Sequence, residues 1–321
     1  MTWKRFAFVT ALLLLVSVLA GCGGTATQEA PKPAADQKPA PEAKAQPKQT
    51  TYPLTLKDDA GRDVTIAAEP KRILSVAPSN TELLFALGKG KSLVGRSEFD
   101  DYPAEAKEIP SVGGFFPPDY EKIVATKPDL VLVVTGSDEA RNKLVNDYQL
   151  NVYVVNPQTF DELYASTLKL GQVINAQEAA EKLVADMKAQ VKEIADKAAK
   201  ATTKPSVYYE VWDEPLMTAG TGTFINDLIT LAGGTNAGAE VKGWSNISAE
   251  QVAKANPDLI VASSPDIQAK IKARANWSAY KAVKEGKILV VSDANPVDRP
   301  GPRLVLGLKW FAQAIHPELF K

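Results

Sequence analysis

Histidine and cysteine are nearly missing from this chain: one of each stands among 321 residues. Without imidazoles or thiolates in number, a zinc or copper site built on them is excluded, and so is a disulfide. The single His316 lies at the end of the last apolar helical stretch, where a capping or surface role suits it better than catalysis. No Gly-rich phosphate loop, Gly-x-Ser-x-Gly elbow or nucleotide fingerprint occurs. Neither sign of charge dominates, with 37 basic against 38 acidic residues, so the basic footprint of a nucleic-acid binder is missing too. Long apolar runs are confined to Phe6 to Ala20, shorter than the roughly 20 residues that a membrane-spanning helix needs.

That run follows Lys4 and Arg5 and ends at Leu19-Ala20-Gly21-Cys22, the pattern of a secretory signal over residues 1–21. Small residues just before a cysteine resemble the lipobox of bacterial lipoproteins. The resemblance implies that Cys22 is acylated and becomes the new amino terminus, anchoring the protein to the outer face of the cell membrane. Residues 22–51 supply Ala, Pro, Lys, Gln and Glu without hydrophobic periodicity, a composition expected of a disordered linker.

The remainder alternates between strand and helix signals. Residues 52–160 begin with a hairpin around Asp58-Asp59-Ala60-Gly61. They continue through a buried strand at Arg72 to Val76, a helix over Thr81 to Leu87 stopped by Gly88, and strands at Leu93 to Arg96, Leu130 to Val134 and Val152 to Val155. Residues 161–203 form a helical connector with no strand signal. Leu183, Val184, Met187, Val191 and Ile194 recur there at helical intervals, predicting one long helix able to cross between two lobes. Residues 204–321 repeat the alternation, from a strand at Ser206 to Trp212 to a closing helix over Arg303 to Ile315. Such alternation predicts α/β lobes with parallel sheets. A short motif recurs between the two halves: Tyr120 to Val134 and Ala249 to Ser263 match Glu121 to Glu250, Pro128 to Pro257 and Asp129 to Asp258.

Candidate chemistry is sparse. The acidic pairs Asp58-Asp59 and Asp100-Asp101 fit turn geometry, and an extracellular hydrolase would have to work through Asp100, Asp101 or Glu214. Phe99, Phe115, Phe116, Trp212 and Trp244 are expected in loops or at strand ends, where exposed aromatics serve binding. Asp298-Arg299-Pro300-Gly301-Pro302-Arg303 is a stiff loop able to position a guanidinium against a ligand. Glu121 and Glu250 each fall in the first turn of a helix, where the helix dipole favours them. Their pairing would also suit a partner with two basic sockets.

Over Arg72 to Phe320 the chain resembles the substrate-binding lipoproteins of bacterial ABC importers that handle cobalamin, ferric siderophores and haem. The likeness is carried by Ser75 to Gly88, Asp101-Tyr102-Pro103, Tyr120 to Leu130, Trp244 to Val252 and Asp298 to Arg303. It implies two Rossmann-like lobes joined by a single long interlobe helix, with the ligand between them and no enzymatic step. It implies a monomer that needs no cofactor and works with a permease and an ATPase, with Glu121 and Glu250 docking on the permease. Within that group the likeness is greatest to the cobalamin-binding members, which implies a ligand site of Phe99, Phe115, Met217, Trp244 and Arg299, with Phe116 beside them. Val134 and Met217 stand where aromatics would be expected. A ferric siderophore would be expected to call for more cations than Arg299 and Arg96, and haem for an axial ligand such as Tyr102, Tyr208 or Tyr209.

Overall fold

The structure, a computed structural model, describes residues 48–114, 118–136, 138–291 and 293–320. Strands β1 (Leu54–Lys57) and β2 (Asp63–Ile66) pair antiparallel around the expected turn. Buried Asp58 holds that turn by accepting from the backbone N–H groups of Ala60 and Arg62, both at 3.0 Å, and from the Arg62 guanidinium at 2.6 Å. Next comes β3 (Ile73–Ser75), buried at every residue, and α1 (Pro78–Ala86). This helix starts at Pro78 rather than Thr81, because a proline in the first turn gives up no needed N–H and its fixed φ suits a helix. Gly88, at φ 73°, closes it in the left-handed conformation. Strand β4 (Leu93–Gly95), α2 (Tyr120–Ala125), β5 (Leu130–Val133), α3 (Asp138–Asn146) and β6 (Val152–Val154) complete the first lobe. Its sheet runs β4-β3-β5-β6, parallel throughout.

Two antiparallel helices follow, α4 (Phe160–Val173) and α5 (Gln177–Ala198). The 22 residues of α5 span roughly 33 Å and join the lobes, with α4 packed alongside. Each helix serves both cores. Phe160, Leu163 and Tyr164 of α4 and Val184 and Met187 of α5 pack into the second lobe. Leu170, Val173 and Ala180 pack into the first. Asn175, at φ 52°, makes the turn between the helices, so the break carries neither proline nor glycine. Residues Lys48 to Tyr52 fasten onto this turn: Thr50 N–H donates to Asn175 Oδ1 at 2.9 Å, Tyr52 Oη–H to the Val173 carbonyl at 2.9 Å, and Lys48 Nζ to Glu181 at 2.6 Å. Asn175 also donates to Glu69 at 3.3 Å, and Glu69 lies just ahead of β3. The turn therefore sits at the amino ends of the first-lobe strands.

The second lobe holds β7 (Ser206–Asp213), β8 (Leu216–Ala219), α6 (Phe224–Leu231), β9 (Thr235–Asn236), β10 (Trp244–Asn246), α7 (Ala249–Ala255) and β11 (Leu259–Ala262). It continues with α8 (Pro265–Ala273), α9 (Lys281–Lys284), β12 (Ile288–Val290), α10 (Asn295–Asp298) and α11 (Leu304–Ile315). The sheet order is β10-β8-β7-β11-β12, with β9 beside β7; β7, β9, β11 and β12 are parallel, while β8 and β10 add an antiparallel edge.

The repeated motif occupies the same place twice. β5 lies between β3 and β6, and β11 lies between β7 and β12. Before each strand the chain passes through a left-handed residue, Lys127 at φ 48° or Asn256 at φ 38°, and then the Pro-Asp pair. Asp129 accepts from the N–H groups of Lys71 and Arg72, and Asp258 accepts from Ser206 N–H. Each aspartate thus tethers its own strand to the neighbouring parallel strand, β3 in the first lobe and β7 in the second.

Candidate functional site

Segments leaving the carboxyl ends of the first-lobe strands meet the second lobe along two flanks. Open α/β sheets present ligand sites in this position. On the flank formed after β4 and β12, Arg299 Nη1 donates to Asp101 Oδ1 at 2.6 Å and to Glu82 Oε1 at 3.2 Å, and its Nη2 donates to the Phe99 carbonyl at 3.3 Å. Arg303 holds Glu82 in a fork, Nη2 to Oε1 at 2.6 Å and Nε to Oε2 at 2.8 Å. The guanidinium of Arg303 also lies 4.0 Å from the ring centre of Tyr102. Glu82 projects from α1 and is only 3% exposed, so its charge relies on those two guanidiniums. Partial burial raises the Asp101 carboxyl, but the hydrogen bond and charge of Arg299 outweigh it and hold the group below the usual carboxylate range.

Behind this flank Asp100 is buried and accepts from the hydroxyls of Ser97 and Thr81. Burial raises its carboxyl. Its partners are all within the first lobe, and the group fixes the loop that carries Phe99 and Asp101. Asp298 is solvent-exposed yet closely surrounded by protein, and this desolvation pushes its carboxyl up to about 6 even though Tyr209 Oη–H donates to it at 3.2 Å.

The opposite flank joins the segment after β6 to the β10 edge. Trp244 Nε1–H donates to Gln158 Oε1 at 2.9 Å, and its ring packs 5.0 Å from Phe224. Phe160 N–H donates to Asp227 at 2.9 Å beside it. Trp244 stands at the start of β10, one of the strand ends expected for it. The β10 ladder pairs Asn246 with Met217 of β8, so Met217 and Trp244 are half-buried neighbours on one edge. On the first lobe Phe99 is 54% exposed. Trp212 is exposed at the end of β7 and donates to the Glu214 carbonyl, which the sequence signal of a strand-end aromatic anticipates. Phe115, Phe116 and Cys22 lie outside the described residues.

This two-lobed frame agrees with a family model described as periplasmic binding protein, which matches residues 73–294. The chain belongs to the periplasmic binding protein family. Family members bind solutes and perform no chemical conversion. This periplasmic binding protein is 38% identical over 327 residues, covering 99% of both chains, to an uncharacterized ABC transporter substrate-binding lipoprotein, YvrC, of Bacillus subtilis. It is 29% identical to the vitamin B12-binding protein of Pectobacterium atrosepticum, over 74% of this chain and 86% of that one. Among solved structures it is similar to a possible iron-binding, periplasmic solute-binding protein of Staphylococcus epidermidis, with 33% identity, TM-score 0.69, and coverage of 78% of this chain and 100% of that one.

The structure also places the other predicted residues of this periplasmic binding protein. Glu121 and Glu250 are both exposed in the first turn of their helices, one behind the N-cap Asp119 and the other behind a capping box of Ser248 and Gln251. Neither makes a salt bridge among the described residues. His316 is buried at the end of α11 against Glu318 and the Gly233 carbonyl. Tyr208 and Tyr209 are buried in the second lobe, whereas Tyr102 is exposed and stacked on Arg303.

Glu82 is the site residue that sequence reasoning missed. A lone carboxylate directly ahead of the apolar run Leu83-Leu84-Phe85 was the available signal. An open concavity of about 680 Å³ lies on the outer side of the arginine flank, lined by Phe85, Lys91, Tyr102, Pro103, Glu105 and Arg303 among others. None of Phe99, Met217, Trp244 and Arg299 lines it.

Proposed function

We infer that this extracytoplasmic solute-binding protein captures cobalamin or a related corrinoid in the interlobe cleft and delivers it to the permease and ATPase of an ABC importer. In this reading it acts as a monomer without a resident cofactor, held to the membrane by lipid on Cys22. The observation that carries it is the apolar surface carried by both lobes: half-buried Trp244 and Met217 share the β8–β10 edge of one, and Phe99 is exposed on the other. A flat, amide-fringed macrocycle matches such a slot through contact area, with a few polar groups at its rim. The vitamin B12-binding relative supports the same ligand. Glu121 and Glu250 then serve as the two docking carboxylates for the permease.

Iron chelates are the second reading, favoured by the likeness to the possible iron-binding protein. Calorimetric titration of the mature chain in detergent with cyanocobalamin, ferrichrome and haemin separates the two. Sub-micromolar binding of cyanocobalamin alone is expected, weakened about tenfold or more by Trp244→Ala. Binding of an iron chelate in its place would keep the transport role and replace the ligand.

A further inference from the structure

We propose that Glu82 and Asp101 set the charge class of the ligand, by neutralising Arg299 and Arg303 so that the cleft accepts neutral or cationic chelates and rejects anionic ones. The proposal rests on the interlobe cleft being the ligand site, and it does not require that the ligand be a corrinoid.

Arginine at the mouth of a binding cleft ordinarily reads as an anion receptor, because its planar fork matches carboxylates. Here both forks are already taken. Each guanidinium comes from the second lobe and each carboxylate from the first, so the neutralisation spans the cleft. The Arg299 and Arg303 side chains are only 15% and 13% exposed. An incoming anion would have to take a guanidinium from Glu82, whose side chain is 2% exposed, leaving a buried charge without its partners.

The surroundings add negative charge. Glu98 and Asp298 are exposed next to Phe99 and Arg299 in sequence, and Asp293 lies 4.0 Å from Arg303 Nη1. Among nearby cations, Arg96 spends its guanidinium on the Ser97 and Lys107 carbonyls of the first lobe, Lys107 adds positive charge near Asp101, and Lys91 lines the outer concavity together with Arg303. Rejection through a group that would be left unpaired is a stronger filter than a lost contact, because the penalty falls only on the wrong ligand.

The discriminating change is Asp101→Asn, since Asp101 is part-exposed and its loss takes one of the two carboxylate charges from Arg299 while leaving the buried Glu82 in place. Wild type and variant, each checked by thermal melting, are titrated with cyanocobalamin and ferrichrome as neutral chelates, ferrioxamine B as a cationic one, and haemin and ferric enterobactin as anionic ones. Wild type is expected to bind at least one neutral or cationic member and to bind the anionic members at least about tenfold more weakly. Asp101→Asn is expected to shift the anionic-to-neutral affinity ratio about tenfold toward the anions. Preference for an anionic chelate in wild type, no binding of any neutral or cationic member, or an unchanged ratio in the variant would each overturn the proposal. Ferrichrome bound in place of cyanocobalamin, with anions still rejected, would leave it standing while removing the corrinoid assignment.

Discussion

Glu69 joins three elements through one carboxylate: it meets Lys71 at 2.8 Å, Lys89 beyond the end of α1 at 3.1 Å, and Asn175 in the α4–α5 turn at 3.3 Å. These contacts, led by the hydrogen bond from Lys71, lower its pKa from 4.5 to about 2. A carboxyl with a depressed folded-state pKa stabilises the fold above its unfolded value, and that contribution is lost as pH falls through the folded value. Glu69→Gln is therefore expected to lower the melting temperature at pH 7, by about 1 kcal/mol in stability for a partly exposed network. The gap from wild type should close between pH 4.5 and about 2, as followed by circular dichroism melts. At this scale the sequence was most legible where a side chain bonds locally. Asp58 and Ser248 hold turn and cap through neighbours within four residues. Glu82 and Arg299 were harder, because their partners are 217 residues apart and no local pattern encodes that distance.

The α4–α5 hairpin depends on one close approach. A Cβ built on Gly171 would lie 2.5 Å from Ala180 Cβ and 3.3 Å from the Ala176 carbonyl oxygen, so any side chain there drives the helices apart. Gly171→Val is expected to cost about 1–3 kcal/mol in urea unfolding, as overpacking of a tight interface does. Gly171→Ala should cost less. Helical content over residues 160–200 was plain from its periodicity, but the break was hidden because Asn175 supplies the left-handed turn that glycine would have announced. The β8–β10 edge was equally hidden, since strands of four and three residues leave too little alternation to recognise, although Trp244 falls at a strand end as expected. The doubled helix, Pro-Asp turn and strand was legible because its tie is local in register: Asp129 and Asp258 each secure one central strand.

For the whole molecule, one exposed glutamate stands at an equivalent helix start on each lobe. Replacing both, Glu121→Ala with Glu250→Ala, is expected to leave ligand affinity unchanged while reducing uptake by whole cells; uptake equal to wild type would remove the docking role. The two-lobed plan was legible from strand-helix alternation, whereas the charge state of the cleft was not, because it arises only when the lobes meet. The fastening of Lys48 to Tyr52 on the α4–α5 turn also has a mechanical side. Tension drawn through the backbone ahead of Lys48 would be loaded at the end of α5, along the axis that joins the lobes, and several hydrogen bonds would have to rupture together before the strain reached the opposite pole. Pulling there would tug on the hinge pin of the molecule and leave its jaws at rest.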